Sequence, residues 1–444
     1  MPHTPPGPRG LPVVGDARRF ARDPFGFLEA LADAYDDVAR FRLGPNTLYL
    51  LTDPEAVEDV LVRDADRYRK ADFGDDAVRD LLGDGLLLAE GDDWRRQRRV
   101  WQPSFDPDHV ETLGAQMVER TREWMADWED GDRLAIDAEL SRLTVSIIVE
   151  TMFGVRLDDA TARRIGQLLE PVGSRFVPDP MRAVTPDWFP SPENVRYRRS
   201  VAVLDRLVED IVAERRRESE GDVAGEDLLA RLLAARDEGV LSERLLRDEL
   251  MTVLLAGHET TALALTYTFY LLSRHPDARD RLEAEVDDVV GERPPATGDL
   301  PELSSTERVL EESMRLYPPV FSLFREPTKP VEHGGYRIPE GDILALPQWT
   351  IHRDERWWDA PAAFDPDRFR PDRTAERPRF AYFPFGGGPR ACIGRGFAMT
   401  EARLVLAAVT SSVRLDAVSE GSLDLEASIT TRPADSVEMV VRER

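Results

Sequence analysis

The segment Phe385-Gly386-Gly387-Gly388-Pro389-Arg390-Ala391-Cys392-Ile393-Gly394 contains the only cysteine of the 444-residue chain. Its three consecutive glycines and the proline after them predict a tight loop in which backbone can approach a flat ligand closely. Helix formers follow, so Cys392 is expected at the start of a helix, where the helix dipole and free amides favour the thiolate that binds metals. The alternative is a small, buried and inert cysteine that ends a glycine-rich turn. This segment alone supports both interpretations.

Composition narrows the class of protein. A single cysteine excludes an internal disulfide framework and any zinc or iron–sulfur cluster held by several cysteines of this chain. The chain has 58 basic and 84 acidic residues and a net charge of −26, which argues against nucleic acids and anionic membranes as partners. Its hydrophobic share of 42% is enough to bury a large core, so the sequence predicts a globular protein.

The basic residues are almost all arginines, since Lys70 and Lys329 are the only lysines among the 58. An acidic, lysine-poor surface stays hydrated when concentrated salt screens long-range repulsion. The composition therefore predicts a salt-rich cytoplasm, such as that of a halophilic archaeon. A GC-rich genome that encodes a solvated acidic surface would produce the same bias, and composition does not separate the two explanations.

Hydrophobic periodicity predicts a mainly helical chain from about residue 53 to residue 320. The longest helix is expected to run from a cap at Ser242 to about Ser273, which is long enough to cross the whole molecule. A second helix is expected near Ser304, with Glu307 completing a capping box. These patterns define the fold class as mainly α.

A smaller β-rich part is expected over residues 35–55 and 320–350, and again in the C-terminal stretch Leu423 to Val441. Between the helices, the segment from Pro171 to Pro192 contains six prolines and predicts a long loop. Such loops often act as lids over a site. No change in composition marks a second domain.

The long predicted helix contains Ala256-Gly257-His258-Glu259-Thr260-Thr261. Gly257 would let the backbone approach a planar ligand, while Glu259 and Thr260 would place a carboxylate and a hydroxyl where the helix bulges. An acid beside an alcohol can pass protons, although a threonine that caps a local irregularity next to a solvated glutamate is the alternative. Glu312 and Arg315, three residues apart, can pair on one helical face, and that pair matters only if it is buried.

Together these segments resemble the cytochrome P450 family. The spacing Phe385-x-x-Gly388-x-Arg390-x-Cys392-x-Gly394 matches the haem-binding loop of that family, in which the cysteine thiolate ligates the haem iron. Segments 312–315, 366–369 and 256–261 match three further motifs of the family. The resemblance runs from end to end and implies one cytochrome P450 domain over residues 1–444, without a fused reductase domain. The implied fold is a triangular helical prism that holds haem b between the long helix and the helix after the cysteine.

The resemblance also assigns roles to residues. Cys392 would be the axial ligand of the iron, Thr260 would hydrogen-bond the outer atom of dioxygen, and Glu259 would relay protons to it. Further residues would contact the haem, the last four at its propionates: Phe385, Gly394, Ala256, Trp94, Arg98, Arg325 and Arg390. A buried charged cluster of Glu312, Arg315 and Arg368 would brace the cysteine loop.

The implied activity is that of a haem-thiolate monooxygenase, which inserts one atom of dioxygen into an apolar organic substrate such as a fatty acid, a terpenoid or a sterol-like molecule. The substrate pocket is expected at Leu87, Phe176, Val320 and Phe321. Two other activities remain as alternatives. One is a peroxide-driven relative, although the acid–alcohol pair argues against it, and the other is a haem-thiolate sensor or carrier.

Electrons are expected from a separate protein, a ferredoxin with its reductase. The basic strip formed by Arg95, Arg96 and Arg99 would offer an acidic donor a docking surface, although arginines in such a position more often form a solvated face. Because the N-terminal residues lack the basic start and apolar run of a signal peptide, the protein is expected in the cytoplasm without a transmembrane anchor.

Overall fold

The structure is a computed structural model that describes residues 4–73, 76–175, 177, 189–218, 226–419 and 421–444. Within these residues helices dominate, as the sequence predicts. The helices are α1 (Ala17–Arg22), α2 (Pro24–Ala34), α3 (Pro54–Glu58), α4 (Asp76–Leu82), α5 (Gly91–Trp101), α6 (Pro107–Met125), α7 (Ile136–Phe153), α8 (Asp159–Ser174), α9 (Pro192–Glu218), α10 (Leu228–Asp237), α11 (Glu243–Arg274), α12 (Pro276–Val289), α13 (Ser304–Leu316), α14 (Gln348–Ile351), α15 (Pro371–Thr374) and α16 (Arg395–Thr410). None of the described helices combines the length and apolarity needed to span a bilayer.

The strands are short. They are β1 (Val38–Leu43), β2 (Asn46–Leu51), β3 (Tyr68–Lys70), β4 (Arg133–Ala135), β5 (Leu323–Pro327), β6 (Val331–His333), β7 (Tyr336–Ile338), β8 (Ile343–Leu346), β9 (Val413–Ala417), β10 (Leu425–Ala427), β11 (Thr431–Pro433) and β12 (Glu438–Glu443). The largest sheet has the order β1-β2-β8-β5-β3, and smaller sheets have the orders β4-β12-β9, β6-β7 and β10-β11. The predicted β-rich part is confirmed, whereas β3 and β4 lie in stretches that the sequence predicts as helical.

The long helix α11 forms the centre of the molecule and begins where the sequence predicts. The Ser242 hydroxyl caps it by accepting a hydrogen bond from the Leu245 amide at 3.1 Å. Helix α7 lies against α11 so closely that a Cβ on Gly257 would come within 2.5 Å of Ile148 Cδ1. Gly257 therefore serves helix packing, and the expectation that it lets backbone approach a planar ligand is wrong.

Two other local predictions need correction. Ser304 is the first residue of α13 and forms no capping box with Glu307. The carboxylate of Glu285 on α12 accepts hydrogen bonds from the amides of Ser305 and Thr306 instead, at 2.7 and 3.0 Å, so a neighbouring helix satisfies the free amides. Pro171 lies inside α8, which continues to Ser174 and shortens the predicted loop. The rest of that loop falls largely on residues outside the described ranges, as does Phe176.

Candidate active site

The cysteine loop is set by close backbone packing. The amide of Cys392 donates a hydrogen bond to the carbonyl of Phe385 at 2.9 Å, and α16 begins three residues after the cysteine. Gly388 has a φ of 65°, and a Cβ there would lie 1.8 Å from the carbonyl oxygen of Leu61. This glycine thus admits the protein's own backbone, where the sequence led us to expect a flat ligand.

The side chain of Cys392 is accessible to solvent, although protein atoms surround it on most sides. Burial raises the pKa of the Cys392 thiol, while the Gly394 amide and the charges of Arg98 and Arg395 act in the opposite direction. The amide at the helix start therefore favours the thiolate, as the sequence predicts, but desolvation outweighs this effect. A bound metal cation would displace the proton, as it does at other thiolate sites.

A second accessible surface lies in the middle of α11. Residues 250–255 and 261–272 are buried, yet Ala256 is exposed and Thr260 is partly exposed. The two residues are four apart and share one helical face. The Thr260 hydroxyl donates to the carbonyl of Ala256 at 3.1 Å, and α11 stays α-helical there, so the expected bulge is not found.

The acid of the acid–alcohol pair has a partner that sequence reasoning missed. Glu259 forms an ion pair with Arg432 of β11, and both side chains are largely buried. Arg432 Nε also lies 3.3 Å from Thr430 Oγ1, and its guanidinium fits against Gly173 of α8, where a Cβ would clash with it. No local pattern could have indicated this pair, because its members are far apart in the chain.

The residues expected at the haem propionates come together beside the cysteine loop. Arg98 Nη1 donates to the carbonyl of Ala391 at 2.9 Å, and the Arg390 guanidinium lies 4.7 Å from the centre of the Trp94 ring. Arg390 also forms an ion pair with Glu90. Trp94 and Arg98 lie one turn apart on α5, as their resemblance to the family implies.

Two further cations, Lys70 and Arg325, lie near Arg390 and come from paired strands. Lys70 on β3 is opposite Arg325 on β5, and sequence reasoning missed Lys70 because β3 itself was not predicted. Burial, followed by the charge of Arg390, lowers the pKa of Lys70 to about 7 and that of Arg325 to about 10. Among the described residues, Glu90 is the carboxylate that the structure pairs with this cluster.

The cation cluster, defined as Lys70, Arg98, Arg325 and Arg390, thus carries excess positive charge beside the cysteine. Mutual repulsion and burial both disfavour the charged forms, which is the condition under which an anionic ligand is bound most favourably. A group with carboxylates at one edge and a metal that takes a thiolate matches this donor set. The residues present therefore fit haem.

Glu312, Arg315 and Arg368 form the buried cluster that their expected role requires. Both carboxylate oxygens of Glu312 contact Arg315, at 2.7 and 2.8 Å, and Arg368 Nε lies 3.2 Å from one of them. The Glu312 and Arg315 side chains are 0% exposed, and that of Arg368 is 3% exposed. The remaining guanidinium donors bind backbone carbonyls, those of His352, Asp359, Ala360, Pro361 and Ala363.

His352 connects this cluster to the segment that leads into the cysteine loop. Its carbonyl accepts a hydrogen bond from Arg315 at 2.8 Å, and its ring Nε2 accepts one from the amide of Phe383 at 3.0 Å. Complete burial lowers the pKa of His352 well below its usual value, so the ring is neutral and can accept. The chain thus contains a physical link from Glu312 to the cysteine loop.

The residues expected in the substrate pocket differ in their surroundings. Leu87 is 41% exposed, and Val320 is half-buried. Phe321 packs edge-to-face against Phe25 and Phe324, in the apolar cluster beneath the main sheet. Its side chain therefore belongs to the core rather than to an open pocket.

Comparisons with known proteins agree with this geometry. The cytochrome P450 family model matches residues 5–431. Pentalenene oxygenase of Streptomyces avermitilis is 36% identical over 92% of this chain and 90% of its own length. Cyclooctat-9-en-7-ol 5-monooxygenase of Streptomyces melanosporofaciens is 35% identical over 92% of this chain and 88% of its own length. The crystal structure of the cytochrome P450DA haem domain, 28% identical, covers all of this chain and 98% of its own with a TM-score of 0.88.

The chain belongs to the cytochrome P450 family. It is a haem-thiolate monooxygenase with haem b as its cofactor, and the predicted fold, cofactor and enzyme class are confirmed. Enzymes of this family use dioxygen, an apolar substrate and a redox partner.

Proposed function

We propose that this enzyme oxygenates a terpenoid, with residues 1–444 forming one P450 domain that takes electrons from a separate ferredoxin. The observation that carries the site assignment is the accessible Cys392 thiol beside four cations, of which Arg390 alone pairs with a carboxylate of the described residues, that of Glu90. Haem bound there supplies oxygen activation, favoured by electron density from the thiolate ligand.

Cys392 would hold the metal, and the cation cluster with Trp94 would hold the carboxylate edge of the cofactor. Phe385, Gly394 and Ala256 would contact it. Thr260 presents a hydroxyl from the exposed face of α11, and Glu259 is the acid that resupplies its proton. Arg432 keeps the Glu259 carboxylate oriented while it is not transferring a proton.

The terpenoid class is supported by two similar enzymes. The compounds in their names, pentalenene and cyclooctat-9-en-7-ol, are both cyclic isoprenoids. Leu87 and Val320 would provide apolar contacts to such a skeleton. A panel of terpenoids, fatty acids and sterols, screened for a shift of the haem absorption band, tests this class, and a response to fatty acids alone would contradict it.

The haem-thiolate site itself is tested by carbon monoxide. The reduced, purified protein should give the red-shifted absorption band of sulfur-ligated haem, because the Cys392 thiolate would hold the iron. A Cys392→Ser variant, which keeps the size of the side chain, should lose that band. Absence of the band in the wild-type protein after reconstitution with haem would contradict the assignment.

The ferredoxin dock is proposed at the exposed arginines of α5. Arg95 is paired with Asp92 and Arg96 with Asp93, so the charge of these two arginines is partly neutralised within the helix. Arg99 is exposed on the same helix, and its reversal to Glu should slow reduction by the cognate ferredoxin. An equal reduction rate for Arg99→Glu and the wild-type protein would remove the strip from the docking site.

We also infer a cytoplasm rich in salt as the working environment, on the composition described above. The free energy of unfolding should then rise when the salt concentration is raised from dilute buffer to molar values, because salt screens the repulsion within a chain of net charge −26. Full stability in dilute buffer, with no gain on adding salt, would contradict this proposal.

A further inference from the structure

The segment that carries Leu87 lies directly on α11. A Cβ on Gly83 would come within 2.1 Å of the Asp248 carboxylate, and one on Gly85 within 2.4 Å of Thr252 Oγ1. Neither position has room for a side chain, so the backbone of this segment touches the helix itself. The segment therefore takes its position from α11.

Two successive acids of α11 fix the register of this contact. Asp248 accepts a hydrogen bond from the amide of Asp84 at 3.0 Å, and Glu249 accepts one from the amide of Leu86 at 3.0 Å. Both acids are buried, with exposures of 2% and 0%. The alternate amides of Asp84 and Leu86 thus donate to side chains of a helix. In a β-strand, such amides would donate to the carbonyls of a neighbouring strand.

The carbonyl side of the same segment is held by Lys70. Its ammonium donates to the carbonyls of Leu86 at 3.1 Å and Ala89 at 3.4 Å, and also to that of Leu87. Leu86 and Ala89 are buried, whereas the Leu87 side chain between them is exposed. The clamp thus fixes the backbone and leaves one apolar side chain free to meet a ligand.

Glu249 also lies on the face of α11 that carries the site. It precedes Ala256 by seven residues, which is two helical turns, and this places the two side chains on one face about 10 Å apart along the axis. Burial raises the pKa of Glu249 to about 7, so both of its ionisation states are populated near neutral pH. The carboxyl group keeps an acceptor oxygen in either state.

We propose that Glu249 is a positioning residue that sets the place of Leu87 relative to the Ala256 face of α11, and so determines which ligands fit above the haem. This inference rests on the proposed function, in which Leu87 would contact the substrate and Ala256 the cofactor. Glu249 touches neither substrate nor cofactor and acts through the Leu86 amide.

Two haem-binding azoles of different size test the inference without any turnover. In the proposed site, imidazole would be too small to reach Leu87, whereas 4-phenylimidazole would need the space that Leu87 borders. Spectral titration of the oxidised protein gives the ratio of their dissociation constants. Glu249→Leu should change this ratio by about fivefold, while Glu249→Gln, which keeps an acceptor oxygen, should leave it within about twofold.

A double substitution separates positioning from general loosening. In a Leu87→Ala background the effect of Glu249→Leu on the ratio should disappear, because the side chain that Glu249 positions is gone. The exposed acid Glu243 at the start of the same helix provides the control, and Glu243→Leu should have no effect. An unchanged ratio in Glu249→Leu, or an equal change in both backgrounds, would overturn the inference.

A second measurement needs no variant to fold. Hydrogen exchange of the haem-loaded wild-type protein should show the Asp84 and Leu86 amides protected, and rapid exchange at Leu86 would overturn the inference. The carbon monoxide band reports the haem-thiolate site separately. A wild-type protein that lacks the band but protects Leu86 would contradict the proposed site and leave the clamp in place.

Discussion

Two groups of basic residues lie near the cysteine loop, and they differ in how far carboxylates and carbonyls pair with their positive charges. In the buried cluster, the Glu312 carboxylate pairs with both Arg315 and Arg368, and backbone carbonyls accept hydrogen bonds from the remaining guanidinium donors. In the cation cluster, Glu90 forms an ion pair with Arg390, and among the described residues no carboxylate forms an ion pair with the other three cations. The first group is complete without a ligand, which indicates a structural role. The second has charge to spare, which indicates a role in binding an anion.

The largest effect is expected from breaking the complete cluster. Glu312→Ala would leave two buried guanidinium groups without their carboxylate, a loss of about 3–5 kcal/mol. We expect no haem incorporation, measured as the carbon monoxide band per mole of protein, and a lower unfolding temperature. Glu307→Ala on the same helix, where the acid is half-exposed and pairs with Arg403, should load haem normally. A normally loaded Glu312→Ala variant would contradict the structural role.

The acid–alcohol pair is intermediate between the two groups, because Glu259 has a partner and yet stays partly accessible. Thr260→Ala removes the hydroxyl that we propose passes protons, so product formation should fall by about 100-fold while electron consumption continues. The measurement is product formed per electron consumed, with Thr261→Ala, a buried neighbour, as the control. Unchanged coupling in Thr260→Ala would remove this residue from proton delivery.

Weakening the incomplete cluster should release the cofactor without unfolding the chain. Arg98→Met removes one cation beside the cysteine loop, and haem transfer to an acceptor protein should become about tenfold faster. The neighbouring Arg95→Met is the control, because Arg95 is exposed and paired with Asp92. If both variants lose haem at the wild-type rate, the cation cluster does not bind the propionates.

The sequence predicts those parts of the site that are local. The cap and length of α11, the cysteine loop and the Glu312–Arg315 pair each depend on residues within a few positions of one another, and local patterns report them. Which element packs against a glycine is not determined by the residues next to it in the chain. Gly257 was expected to meet the ligand, but the approach of α7 to α11 assigns it to packing, while Ala256, the residue before it, is exposed.

The missed residues share one physical cause. Arg432, Lys70 and Glu249 act through partners that are distant in the chain, and each contact exists only once separate elements have packed. Lys70 was the most accessible to sequence reasoning, because a lysine retained among 56 arginines is itself unusual. Without the pairing of β3 with β5, however, nothing in the sequence connects it with Arg325.

The smallest expected effect is the contribution of Lys70 in the cation cluster to the pH dependence of the free energy of unfolding. The folded haem-free chain lowers the pKa of Lys70 to about 7, so between about pH 7 and pH 9, below the range in which the buried arginines lose their protons, the unfolded chain binds the extra proton. The free energy of unfolding should therefore rise with pH there, by at most about 1.4 kcal/mol per pH unit. Bound propionates would favour the ammonium and flatten this slope in the loaded protein. In urea unfolding, the free energy of unfolding of Lys70→Met should lack this rise with pH, with or without haem. Lys329→Met, which replaces an exposed lysine, should keep the wild-type pH dependence. A wild-type slope in Lys70→Met would place the proton elsewhere.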